Sequence, residues 1–218
     1  MRIIHRLAAH CLGLLLATQG NAASIIPHAE LSSEQNSTIS GGSGALMPDD
    51  ATGQRLEFEF ESADYFSPEN IGHLTIGIRG ESIAVGGRGI VMGNLTQYGF
   101  PGGRCQQTNQ NNVAAIESYW PDNNCVYGGE TQSAQLRNGE RYKVRVESLR
   151  NGLIRYYLYL REDEDWSLIT SAGVHDDFND KVQANLAGWW IAEVFGTHQW
   201  RVDFYNIKSS LLNKKKRF

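Results

Sequence analysis

The 218-residue chain is 41% hydrophobic, 10% aromatic and 20% charged, with 23 glycines and 5 prolines. That composition supports one sizeable core, excludes disorder, coiled coil and fibre for most of the length, and makes two full domains a squeeze. The net charge of −4 becomes −6 once Arg2 and Arg6 leave with an N-terminal leader, a balance that speaks against a nucleic-acid partner.

The leader is legible first. Met1 to Arg6 is a cationic start, Leu7 to Ala17 an apolar stretch, and Gly20-Asn21-Ala22 a small-x-small exit, so residues 1–22 are predicted to be a secretory signal peptide cleaved near Ala22. The apolar run is shorter than the roughly 20 residues that cross a bilayer, so no membrane span is expected and the mature chain is placed in the periplasm or outside the cell. Cys11 departs with the leader. Cys105 and Cys125 remain, and an oxidising compartment predicts a disulfide between them, closing a loop of about 20 residues at a gain of about 3 kcal/mol.

Residues 23–53 are rich in Ser, Asn, Gly and Asp around Ser40-Gly41-Gly42-Ser43-Gly44, which predicts an irregular arm with room for one short strand. The folded domain is expected over 54–211. Leu56-Glu57-Phe58-Glu59-Phe60-Glu61 alternates strictly, the signature of a half-buried strand. Comparable runs follow at Leu74 to Ile78, Gly89 to Asn94, Val113 to Trp120, Arg141 to Leu149, Leu153 to Arg161, Trp166 to Ser171, Trp189 to Phe195 and Gln199 to Lys208. Arg150-Asn151-Gly152 between two of them reads as a hairpin turn, with Tyr142, Val144, Val146, Ile154, Tyr156, Leu158 and Leu160 facing inward. Residues 212–218 form a basic tail containing Lys214-Lys215-Lys216-Arg217. No long helix is predicted. About nine antiparallel strands, each with one apolar face, add up to an all-β, two-sheet jelly-roll sandwich.

The Leu56 to Glu61 strand, the Arg141 to Arg161 hairpin and the closing Trp200-Arg201-Val202-Asp203-Phe204-Tyr205-Asn206-Ile207-Lys208 together resemble the concanavalin A-like lectin/glucanase superfamily of bent β-sandwiches. The resemblance implies a polysaccharide or glycan partner on a concave sheet, and a structural calcium as the one ion to consider, with no cofactor required. The chain lacks the Glu-x-Asp-x-x-Glu run of the retaining glucanases in that superfamily. It also lacks the arginine-rich and Gln-x-His strand motifs of its alginate lyases.

Within that frame, Gly188 to Phe195 is the most informative stretch. Trp190, Ala192 and Val194 make one row, which leaves Trp189, Ile191, Glu193 and Phe195 on the other. An indole beside a carboxylate suits a sugar, the ring stacking on a pyranose face and the acid accepting hydroxyl hydrogen bonds or moving a proton. Core packing and a cross-strand ion pair are the alternative. Glu117 and Tyr119 offer a second acid and ring, and Glu117 with Glu193 would be a catalytic pair if both lined one sheet. His73 and Arg79 form a third group, fit to neutralise a uronate and take its proton, with Tyr157, Tyr159, Arg155 and Arg161 suited to the same ligand unless they serve cross-strand pairs with Glu57, Glu59 and Glu61. Asp176, Asp177, Asn179 and Asp180 are the densest oxygen set for calcium, and would otherwise be a solvated turn. The leading expectation is an exported carbohydrate-binding protein. A polysaccharide lyase or glycoside hydrolase acting on the same face is the alternative.

Overall fold

Leu56, Phe58 and Phe60 are at most 1% exposed, whereas the glutamates between them are half-buried on the opposite face. The same division of each strand into an apolar and a polar row builds the whole molecule. The computed structural model describes residues 24–42, 48–78, 87–93, 113–119, 125–131, 136–175 and 190–213. They form β1 (Ser24–Ser32), β2 (Thr38–Gly41), β3 (Ala51–Glu61), β4 (Gly72–Ile78), β5 (Gly87–Gly93), β6 (Val113–Tyr119), β7 (Cys125–Thr131), β8 (Arg141–Leu149), β9 (Leu153–Glu162), β10 (Asp165–His175), β11 (Trp190–Gly196) and β12 (Arg201–Asn213). Among the described residues no helix is long and apolar enough to cross a membrane.

The strands make two six-stranded antiparallel sheets, the first in the order β1-β12-β3-β8-β9-β10 and the second in the order β2-β11-β4-β5-β6-β7. Their facing apolar rows form one core. Phe60 stacks on Tyr142 at 5.3 Å within the first sheet, and the Tyr156 hydroxyl spans the core to donate to the Ala114 carbonyl of the second at 3.4 Å. Fully burying each aromatic or branched side chain contributes roughly 1.5–3 kcal/mol.

The β8–β9 hairpin has the expected register, with Tyr142 opposite Leu160 and Val146 opposite Tyr156. Gly152 supplies the positive φ of its turn, 88°, which an L side chain rarely adopts.

Three expectations are corrected. The 23–53 segment is not an irregular arm, because β1 pairs with β12 along Ser24 to Ser32 and β2 pairs with β11. Successive strands β1 and β2 thus lie in different sheets and seal one side of the sandwich. The second correction concerns β7, a strand at the edge of the second sheet, where the sequence reading had none. The third is at the C-terminus, where β12 runs through Leu211 and Leu212 to Asn213, into the segment assigned to the tail.

One end of the core is plugged by the loop after β3. Tyr65, Phe66, Leu136 and Trp200 are all at most 4% exposed there, and Tyr65 meets Trp200 edge-on at 6.1 Å. Asn70 ties this loop to the one after β11, donating to the Tyr65 carbonyl at 2.9 Å and accepting from the His198 amide at 3.1 Å. The Tyr65 hydroxyl donates to the Phe195 carbonyl at 3.0 Å, so the plug also fixes the end of β11.

Candidate functional site

Trp190, Ala192 and Val194 are each 1% exposed and face the core, which turns Ile191, Glu193 and Phe195 outward, as alternation predicts. β11 lies between β2 and β4, so this outward row has neighbours on both sides. Glu193 is opposite Thr38 and Thr75, Ile191 opposite Ser40 and Gly77, and Phe195 opposite His73. The Phe195 ring is 55% exposed and lies against His73 with centroids 5.7 Å apart and planes 25° from parallel. Glu193 is exposed one diagonal step away.

Burial lowers the His73 pKa to about 4, because the imidazolium would lose hydration in this half-buried position. The ring is therefore neutral at pH 7. Beside it, the Thr75 hydroxyl has no hydrogen-bond partner among the described residues. Further across the same face, Val91 and Ala115 are both 0% exposed. The face is accessible at its β2–β11–β4 end, where a flat ring, a neutral imidazole, a carboxylate and small hydroxyl side chains lie together.

The structure places the residues singled out from sequence in two groups. Glu193, His73 and the backbone position of Glu117 share the outward face of the second sheet, with Glu117 opposite Gly89 on β5 and Tyr119 two positions further along β6. Glu193 and Glu117 stand three strand spacings apart, about 14 Å. That backbone separation far exceeds the roughly 5 Å between the carboxyl groups of a retaining glycosidase. Tyr157, Tyr159 and Arg155 belong to β9 of the first sheet, on the opposite side of the molecule. They do not share a face with Glu193 and His73, which belong to the second sheet. Arg79, Trp189, Asp176, Asp177, Asn179, Asp180 and Cys105 lie outside the described residues, and Cys125 is placed by its backbone at the start of β7. Among the described residues no group of three or more His, Cys, Asp or Glu could hold a metal ion.

The first sheet's outward face is occupied by its own pairs. Arg145 donates to Glu57 at 2.7 Å, Arg141 stands 2.8 Å from Glu59, and the Tyr205 hydroxyl donates to Glu61 at 2.9 Å. Arg141 also caps the Tyr205 ring at 3.9 Å. Lys143 lies 4.9 Å from the Tyr159 ring centroid and 4.4 Å from that of Trp166, and Arg145 lies 5.9 Å from Tyr157. The glutamate row of β3 does form cross-strand contacts, but with Arg141 and Arg145 of β8 and the Tyr205 hydroxyl, whereas Arg155 stands 3.5 Å from Glu147 and Arg161 3.6 Å from Glu164.

Sequence reasoning put Phe195 on the outward row but did not mark it as a site residue. The missing signal was register, since nothing local announces that residue 195 is opposite residue 73.

No family model matches the chain, and no curated protein matches it. Solved structures do. The CBM2 module of the evolved Dit of Lactobacillus casei BL23 phage J-1 superposes with a TM-score of 0.50 at 10% identity, over 83% of this chain and 71% of that one. The fold is an all-β, two-sheet antiparallel jelly-roll sandwich. The Ca2+/Man2-bound exoplasmic/lumenal domain of VIP36 aligns at 11% identity over 87% of this chain and 83% of that one, with a TM-score of 0.49. Alginate lyase A1-II', of polysaccharide lyase family 7, aligns at 10% identity over 86% and 80%, also with a TM-score of 0.49. At such identities the likeness concerns the fold alone.

Proposed function

We propose that the protein is an exported glycan-binding sandwich that holds a polysaccharide against the β2–β11–β4 end of its second sheet. The observation that carries this reading is the Phe195 ring, 55% exposed and backed by His73, with exposed Glu193 beside it. A flat aromatic surface offers van der Waals contact to the C–H face of a pyranose, and a neighbouring carboxylate accepts hydrogen bonds from its hydroxyls. The signal peptide, the Cys105–Cys125 disulfide and a structural calcium held by Asp176, Asp177, Asn179 and Asp180 belong to the proposal as features of an exported lectin-like protein. Binding on this face requires no metal. A glycan array followed by calorimetry on the hits tests the reading: the expected result is a polysaccharide ligand whose binding weakens in Phe195→Ala, and an array without a hit, supported by silent calorimetry against cell-wall, algal and plant polysaccharides, overturns it.

A second reading, catalysis on the same face, rests on the position of His73 one diagonal step from the exposed Glu193 carboxylate; its imidazole is uncharged at pH 7, and a pKa of about 4 makes it a weak base. Incubation with the same polysaccharides separates the two. Unsaturated ends absorbing in the ultraviolet mark a lyase, reducing ends without that absorbance mark a hydrolase, and neither product leaves binding alone.

A further inference from the structure

The exposed surface around Phe195 is elongated, and its long axis is the strand β11. Along that axis Glu193, Phe195, Thr197 and His198 are all exposed. Thr197 lies past the last residue of β11, yet pairing with the β4 side continues there. Its amide donates to the Ile71 carbonyl at 3.0 Å, and its hydroxyl accepts from the Ile71 amide at 3.1 Å. The strand direction is therefore kept for one more pair, and at about 3.3 Å per residue Glu193 and Thr197 stand about 13 Å apart along it. Across the strands the surface is narrow. Towards β5 the outward row runs from Thr75 to Val91 and on to Ala115, and the last two are 0% exposed. In the other direction β2 is the edge of the sheet and four residues long, so Thr38 and Ser40 are its last outward side chains among the described residues.

Beyond Phe195 this track reaches a second set of polar groups. Glu69, in the loop before β4, and His198, in the loop after β11, are both exposed. Asn70 holds the two loops together, its Oδ1 accepting from the His198 amide at 3.1 Å. The Ser67 hydroxyl donates to the Glu69 carboxylate and is the main cause of a pKa below the ordinary value, and the charge of a nearby His198 lowers it further. Nδ1 of the His198 ring stands 3.2 Å from the Thr197 hydroxyl, which leaves Nε2 on the far side of the ring. A carboxylate that accepts and an imidazole nitrogen that donates or accepts are groups that pair with sugar hydroxyls. Gln199, the next exposed residue, donates its side-chain amide to Glu34.

We infer that the ligand is a polysaccharide chain lying along β11 rather than across the strands, with one sugar on Phe195 and Glu193 and a further sugar held by Glu69 and His198. The inference rests on the reading of Phe195 as the stacking ring and adds to it a direction and a second subsite. A chain in this direction meets an exposed side chain at each outward position from Glu193 to Thr197. A chain turned across the sheet would leave its edge one strand beyond β11 on one side and run onto buried Val91 and Ala115 on the other. Two subsites on one chain act together, since binding at the first raises the effective concentration at the second.

The test is calorimetric titration of the purified chain with cello-, laminari- and galacturonate oligosaccharides, each as a series from disaccharide to hexasaccharide. In the parent chain the affinity is expected to rise about tenfold or more along the series that binds, as a second set of hydrogen bonds joins the first. E69Q/H198A should lose that rise and H198A alone part of it, while F195A weakens every member of the series. Both replaced side chains are exposed, and an unchanged melting temperature confirms that these variants are folded. The inference is overturned, with the reading of Phe195 left standing, if the bound series shows no rise with length or if the rise persists in E69Q/H198A. A rise that E69Q/H198A keeps and T38A/S40A removes shows the chain crossing the strands, and overturns it too. Silence against all three series, or binding that F195A leaves untouched, overturns the reading and the inference together.

Discussion

Phe195 and His73 are direct cross-strand partners whose rings lie nearly parallel, 25° apart in plane and 5.7 Å apart in centroid, on the outward face of the second sheet. The contact places an imidazole where burial opposes its charge, and the pKa falls to about 4. In the unfolded chain the same ring titrates at about 6.5. Between those values the unfolded state holds a proton that the folded state lacks, so stability falls as the pH drops from about 6.5 towards 4. The loss from this one group is on the order of 3 kcal/mol. Denaturant midpoints measured from pH 7 down to pH 4 should fall more steeply for the parent chain than for His73→Phe, which keeps a ring against Phe195 but cannot ionise. Parallel slopes would show that His73 titrates normally.

Glu193 and Phe195 should separate binding from stability. Both side chains are exposed, so Glu193→Gln and Phe195→Ala should each change the melting free energy by no more than about 0.5 kcal/mol. Their effect on the glycan identified by the array should be far larger. Loss of the ring is expected to weaken binding about tenfold or more, and loss of the carboxylate charge several-fold, both read by calorimetry.

The ion pairs of the first sheet should not be equal in worth. Glu57 and Arg145 are each about a third exposed, at 29% and 34%, so Arg145→Ala should cost under about 1 kcal/mol. Glu147 is 9% exposed and depends on Arg55 for its two shortest contacts. Arg55→Ala leaves that carboxylate with only the longer Arg155 contact, and about 3 kcal/mol or more is expected to be lost. Replacing both partners, as Arg55→Met with Glu147→Leu, should recover much of it. Chemical denaturation of the three variants gives the ordering.

How much of this was legible in the sequence depended on whether the signal was local. The β8–β9 hairpin was, because Asn151-Gly152 fixes the turn and alternation fixes both rows. β1 and β2 were not. Pro27 interrupts β1, which is acceptable at the sheet's edge, and β2 is a four-residue strand ending at Gly41, where an added Cβ would stand 2.9 Å from the Trp190 indole. Period-2 reading told which residues of β9 and β11 point away from the core. It could not tell that β9 and β11 belong to different sheets, since that is decided by β3 pairing with both β8 and β12 across long stretches of chain. For that reason Tyr157 and Glu193 looked like parts of one site in the sequence and stand on opposite faces in the structure.

Gly72 offers a way to disturb the His73 and Phe195 contact through the backbone beneath it. Gly72 pairs with Gly196 at the end of the β4–β11 ladder, next to the Phe195 and His73 pair. A Cβ on Gly72 would lie 2.0 Å from the Phe195 carbonyl oxygen, and since the obstacle is backbone no rotamer change relieves it. Gly72→Ala must therefore push β4 away from β11 at this end. The Phe195 carbonyl also receives the Tyr65 hydroxyl at 3.0 Å, so the displacement would strain the aromatic plug as well. A cost of about 1–3 kcal/mol is expected, the range for forcing extra atoms into a packed site. If the ring pair is the binding platform, Gly72→Ala should also weaken glycan binding at temperatures where the variant is fully folded, although residue 72 carries no side chain for a ligand to touch. Parent-like affinity in a folded Gly72→Ala chain would mean that the separation of the His73 and Phe195 rings is irrelevant to the ligand.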